Sequence, residues 1–243
     1  MLKKCVKAFL RIIFIPFILK DYFVFKMKSK GDSRFPIHFI DLFPQIKDKT
    51  IKTGFDHHYV YHTSWAARKV KEIDSEFHTD ISSSLFFCGI VSAFKPVKFY
   101  DYRPADLNLS NLESKNGDLL SLPFADNEIK SLSCLHTIEH VGLGRYGDPI
   151  DPLSDIAAMK ELERVLAIGG SLLFVTPVGK PKIEFNAHRI YSYKLIREYF
   201  KHLELVEFSL VTDAGEFINN ATESQSDTQK YGCGCFWFKK KNI

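Results

Sequence analysis

The sequence predicts an α/β protein: a three-layer sandwich in which helices cover both faces of a mostly parallel sheet that ends in an antiparallel hairpin. Three observations predict it. Between residues 77 and 200, short apolar runs of strand length alternate with longer amphipathic stretches, the order that builds βαβ units. The pair Gly169-Gly170 separates a helical pattern from the apolar run 171–176. The two last apolar runs, 203–211 and 233–238, flank a polar loop rich in Ser, Thr, Asn and Asp, as an antiparallel pair would.

The elements follow in order. Pro36 and Pro44 interrupt the polar, aromatic stretch 31–75, and residues 56–72 within it read as a helix. Residues 77–82 form a first strand, 85–94 a helix and 97–101 a second strand. Residues 129–135 form a later strand. Residues 156–166 read as a helix stopped by Gly169-Gly170. Ser192 is suited to cap a helix over 193–200.

Composition narrows the function. The chain has 243 residues and a formal net charge of +4, enough length for one α/β domain with a large core. The lysines gather near the ends: Lys3, Lys4, Lys7, Lys26, Lys28 and Lys30, then 239–241. No concentrated basic face for nucleic acid results; an anionic membrane surface fits better. The 5 cysteines are scattered, and Cys233-Gly234-Cys235 lacks the spacing of a redox or zinc pair, so a reducing compartment is expected. The apolar run 8–19 holds Arg11 and Pro16 and falls short of the roughly 20 residues of a spanning helix. Two readings stand for residues 1–30: a helix lying on a membrane, or one packed on its own domain.

Carboxylates close the strands. Asp80 ends the first and Asp101 the second, with the spacing of about 20 residues at which an acid takes ribose hydroxyls. Asp118 opens Gly117-Asp118-Leu119-Leu120-Ser121-Leu122-Pro123-Phe124. His136 and Glu139 follow the strand 129–135. This order of acid, apolar strand, Leu-Glu-Arg-Val-Leu-Ala-Ile-Gly-Gly and second apolar run resembles the nucleotide-binding core of class I S-adenosylmethionine-dependent methyltransferases, over roughly residues 50–200.

The resemblance implies a Rossmann-like, seven-stranded sheet over 76–243, preceded by the segment 1–30 and a helical lead-in 31–75. It implies S-adenosyl-L-methionine as cofactor, held by Asp80, Ser82, Ser84, Asp101, Asp118, Leu119 and His136, with Asp118 on the adenine amino group. It departs from the family at the first loop, where Ser82 and Ser84 stand in place of glycines. A Cβ at a positive φ there costs on the order of 1–3 kcal/mol.

The long polar segment 139–152 and the run Asn186-Ala187-His188-Arg189 are read as the acceptor side. With His57, His58 and His62 they resemble a less-studied branch of the family, some of whose members are associated with bacterial surface-polysaccharide synthesis. The expected reaction is O-methylation of a glycan or glycan precursor, in the cytoplasm or at the inner face of the membrane. His140 and His188 are candidate bases and Glu139 and Asp148 their orienting partners, while Arg145, Tyr146, Asn186 and Arg189 would hold the acceptor. The alternative is an inactive protein of the same fold, a membrane-associated partner in glycan assembly. A dinucleotide enzyme lacks its GxGxxG loop here, and a serine hydrolase its Gly-x-Ser-x-Gly elbow. His58 and His62 are spaced like a metal pair, but no cysteine is near them in sequence, and no metal site is expected.

Overall fold

The computed structural model describes residues 2–45 and 48–241, with side chains from residue 15 onward. The chain divides into two compact units, Met1–Gly54 and Phe55–Ile243. In the first, helix α1 (Leu2–Lys28) runs through Pro16. Its side chains Phe17, Phe23, Phe25 and Met27 are exposed, as are Phe35, Phe39, Ile40 and Phe43 beyond it. No helix among the described residues is long and apolar enough to cross a membrane. The unit boundary falls at residue 54, so the helix expected in the lead-in belongs to the sheet unit.

That helix is α2 (His57–Ile73), capped by Asp56, whose side chain accepts from the Tyr59 amide. It is followed by β1 (His78–Ile81), α3 (Leu85–Ser92), β2 (Val97–Asp101), β3 (Leu112–Asn116) and β4 (Ile129–Leu135). Then come α4 (Ser154–Val165), β5 (Leu166–Val178), β6 (Lys182–Glu184), β7 (His188–Ile190), α5 (Tyr193–Tyr199) and β8 (Leu203–Val211). Strand β9 (Phe217–Ile218), α6 (Glu223–Asp227) and β10 (Gly232–Lys240) complete the chain.

The main sheet has eight strands in the order β3-β2-β1-β4-β5-β10-β8-β9. The first five are parallel, and β10 runs antiparallel to both neighbours, β5 and β8. Seven strands were expected; the extra one is the two-residue edge piece β9. The antiparallel pairing of the last two long strands is as the sequence indicates. The crossover point lies between β1 and β4, where a crevice opens beyond the carboxyl ends of parallel strands.

Alternation along β5 explains the layers. Leu172 and Phe174 enter one core, with Met159, Leu162, Ile196 and Phe200 of α4 and the α5 region. Leu173 and Val175 enter the other, with Trp65, Val70, Phe87 and Val91 of α2 and α3. Successive side chains of a strand point to opposite faces, so a strand apolar at every position is buried on both.

Gly169-Gly170 does not stop α4. The helix ends at Val165 with Leu166 as its cap, and the glycines lie inside β5 where its register with β4 shifts. A Cβ at Gly170 would stand 2.8 Å from the Ala167 carbonyl and 2.9 Å from that of Ile129, so only glycine admits this close passage.

A polar chain ties β1 to β4. His78 Nδ1 lies 2.8 Å from Ser131 Oγ and Nε2 2.8 Å from Ser133 Oγ, and Ser133 Oγ donates to the Asp80 carboxylate. Since that hydroxyl donates to Asp80, it accepts from Nε2–H, and Nδ1 accepts from Ser131. Burial lowers the His78 pKa to about 3 and raises that of Asp80 to about 6, against the serine hydrogen bonds. The two act with opposite sign. The unfolded state binds the His78 proton below its usual 6.5, so stability falls as pH drops from there toward 3. Asp80 works the other way between pH 6 and its ordinary 3.8. Buried His62, also pushed well below its ordinary value by burial, adds to the His78 side. We expect the unfolding free energy from urea titrations to fall between pH 7.5 and 5 by roughly 1.4 kcal/mol per pH unit for each uncompensated proton. Replacing Asp80 by Asn should steepen that fall, and a flat profile in both proteins would refute the assignment.

Candidate functional site

At the carboxyl ends of β1, β2 and β4 lies a cavity of about 300 Å³, lined by Ser82, Asp101, Tyr102, Arg103, Gly117, Asp118, Leu119, His136 and the loop after β4. Asp101 accepts the Arg103 amide at 2.7 Å and Asp118 the Leu120 amide at 2.8 Å, each through Oδ1. Each carboxylate thus fixes its own turn with one oxygen. Neither Oδ2 makes a hydrogen bond among the described residues, so two free acceptors share one small cavity.

A larger cavity of about 1160 Å³ adjoins it. Ser82, His136, His140 and Tyr146 line both. The larger one also has His58, Tyr59, Ser84, Glu139, Arg145, Asn186, His188, Asp213 and Tyr231 on its walls.

The shared wall carries the reactive groups. His140 Nδ1 lies 2.6 Å from the Ala187 carbonyl; a carbonyl only accepts, so Nδ1 bears the proton and Nε2 keeps its lone pair. Burial lowers the His140 pKa, outweighing the pull of Glu139, so the ring is neutral at neutral pH. Arg145 Nη1 donates to the same Ala187 carbonyl at 2.9 Å. His136 Nδ1 is 2.7 Å from Glu139 Oε1. Glu139 is buried, which alone would raise its pKa, yet His136 and His140 hold it below the ordinary range.

Four expected assignments are corrected by position. Asp80 lines neither cavity; it is fully buried and accepts from the Ser83 amide at 3.0 Å and from Ser133, so it holds the first loop from beneath. Arg189 is turned inward: it donates to the Val141 carbonyl at 2.6 Å and faces Asp155 at 3.6 Å. Asp148 does not orient a histidine. Its carboxylate accepts the amides of Gly142 and Tyr146 at 2.7 and 3.2 Å and so folds the loop around itself. Those amides hold its pKa down against burial. The two serines differ: Ser82 sits at φ 57, while Ser84 at φ −65 is an unstrained helix cap on the larger cavity.

Sequence reasoning missed Tyr231, Asp213 and Cys233. Asp213 and Tyr231 come from the polar loop between β8 and β10, whose polarity was the available signal, and Cys233 lies in β10 itself. The fold places ligand-type atoms of His58, His136 and Cys233 within 4.8 Å of one another, although no metal site was expected.

Comparisons add the fold. A family model described as a Caenorhabditis protein of unknown function, DUF268, matches residues 125–231. No curated protein matches the chain. Among solved structures, N-methyltransferase NodS from Bradyrhizobium japonicum, in complex with S-adenosyl-L-homocysteine, superposes with TM-score 0.53 at 12% identity over 76% of this chain and 88% of its own. The YcgJ protein from Bacillus subtilis gives TM-score 0.51 at 12% identity over 75% and 100%. The chain has a Rossmann-like methyltransferase fold. The cyclase SpnF shares that fold, with TM-score 0.53 at 12% identity over 74% and 81%, so the fold alone does not name the reaction. Within a methyltransferase fold the small cavity occupies the crevice at the strand crossover, and the larger one adjoins it across His136 and His140.

Proposed function

We propose that this protein is an S-adenosylmethionine-dependent methyltransferase acting on oxygen of a glycan or glycan precursor. The observation that carries the reading is the pairing of cavities: a small one with two free carboxylate oxygens, joined through His136, His140 and Tyr146 to a large polar one. The small cavity sits at the low end of the roughly 300–1,000 Å³ of small-molecule sites. Asp101 would take the ribose hydroxyls, Asp118 the adenine amino group, and Leu119 a ring face. Bound there, S-adenosylmethionine supplies a methyl group on a positively charged sulfur.

The chain's own residues do the rest. His140 Nε2 accepts the proton of the acceptor hydroxyl, a general-base contribution of about 10²–10⁴-fold. Ala187 fixes its tautomer, and Glu139 with His136 holds the wall beside it. Arg145 and Asn186, both on the large cavity, suit a polyhydroxylated or phosphorylated acceptor. The exposed apolar side chains of α1, with Lys20, Lys26 and Lys28, support contact with a membrane surface.

The test is calorimetry with S-adenosylhomocysteine. The protein should give a saturable heat, and Asp118→Ala should bind about 10–100-fold more weakly, the loss of one hydrogen bond to a charged group. The strained backbone of Ser82 favours a second reading, a non-catalytic relative in glycan assembly. No heat from the unmodified protein would select it.

A further inference from the structure

Three residues distant in sequence meet at the large cavity: His58 from the first turn of α2 and His136 after β4 line it, and Cys233 near the start of β10 is buried behind them. Their donor atoms all lie within 4.8 Å of one another. His136 Nε2 and Cys233 Sγ stand 3.3 Å apart. Zinc–nitrogen and zinc–sulfur bonds of about 2.0–2.3 Å, disposed tetrahedrally, set neighbouring ligands about 3.3–3.7 Å apart. One edge of the triangle is therefore already at ligand spacing, and the widest must close by about 1 Å.

The surroundings fit the same purpose. His136 Nδ1 is engaged by Glu139 Oε1 at 2.7 Å. A carboxylate there fixes the proton on Nδ1 and leaves the Nε2 lone pair facing the cysteine sulfur, the outer-sphere arrangement found behind metal-bound histidines. His136 holds this orientation at φ 55, a backbone conformation that costs about 1–3 kcal/mol for a non-glycine residue. One turn along α2, His62 is fully buried with neither ring nitrogen hydrogen-bonded among the described residues, its ring 4.9 Å from that of His136. Methyl transfer as derived above uses none of Cys233, His58 and His62.

We propose that His58, His136 and Cys233 bind one divalent zinc ion, with Glu139 behind His136 and the fourth position open to the large cavity. Two imidazoles and a thiolate are the donor set of a borderline-soft ion, and three protein ligands leave room for an exogenous one. Both histidines line the large cavity, so a hydroxyl or thiol entering it reaches that position and becomes more acidic on binding. This last role rests on the methyl-transfer reading; the ion's binding does not.

The experiment uses the full chain without donor. After equilibration with zinc and exhaustive dialysis, elemental analysis should find about one zinc per chain. His58→Ala and Cys233→Ala should each retain at least about tenfold less, and Glu139→Gln should bind about 10–100-fold more weakly. Cobalt in place of zinc should give a thiolate-to-cobalt charge-transfer band that persists in Cys235→Ala and disappears in Cys233→Ala. Circular dichroism checks that each variant is folded. If Cys233→Ala fails that check, His58→Ala, on the rim of the cavity, decides the question. No zinc retained by the unmodified chain, equal zinc in a folded variant, or a cobalt spectrum without the band would each overturn the site. The homocysteine-donor calorimetry reads the methyl-transfer proposal separately.

Discussion

Gly142→Ala is expected to destabilise the protein by roughly 3–5 kcal/mol and to abolish donor binding. Gly142 sits at φ +78, and a Cβ there would stand 2.1 Å from the Asp151 carbonyl and 2.9 Å from Ser154 Cβ. Its amide donates to Asp148 at 2.7 Å and its carbonyl accepts from the Asp151 amide at 3.0 Å, so the residue cannot move aside without releasing both. The same loop forms one wall of the small cavity. Gly147 makes the control, since it has φ +86 but nothing within 4 Å of a built Cβ. Gly147→Ala should cost only about 1–3 kcal/mol, the backbone conformation alone. Urea unfolding and calorimetry with S-adenosylhomocysteine measure both effects. Equal, mild losses in the two variants would mean that the loop is not the rigid wall described.

His140→Gln should lower methyl transfer by about 10²–10⁴-fold while leaving donor affinity within a few-fold. Glutamine can still hydrogen-bond to the Ala187 carbonyl but cannot take a proton at neutral pH. Labelled methyl transferred from the donor to a panel of hydroxylated sugars and phosphosugars gives the rate. Because burial lowers the His140 pKa, methyl transfer by the unmodified protein should fall only below the ordinary histidine range as pH drops. The variant's residual activity should lack that acidic limb. A variant as fast as the parent would leave the base unassigned, and His188, whose Nε2 has no hydrogen-bond partner among the described residues, would become the residue to test.

Much of the sheet was legible because its strands are buried on both faces. The stretch 172–175 of β5 is continuously apolar, and the ends of β1, β2, β4 and β8 fall within a residue of those expected. Strand β3 was missed because it is an edge: of Leu112–Asn116 only Leu112 is buried, so it has neither an apolar run nor a clean alternation. The start of β5 was misplaced because a glycine pair reads locally as a helix stop, whereas here it answers to a carbonyl of the neighbouring strand. The site divides the same way. Asp101 and Asp118, expected from local sequence order, both line the small cavity. Asp80 has the same local signature, and only the third dimension shows Ser133 beneath it. The meeting of Cys233 with His136 was unreachable by such reasoning, since His136 is 97 residues earlier.

The placement of β10 has a consequence for biosynthesis. Strand β8 touches β10 and the short β9 but not β5, so it has no long neighbour to zip onto when it leaves the ribosome. The polypeptide must hold nine residues of bare edge, Leu203–Val211, until the 232–240 segment has been translated and slides in between. Pairings this remote along the chain form slowly and leave exposed edges open to aggregation. The nascent chain therefore closes its sheet late and all at once, with His136 and Cys233 meeting only in that final step.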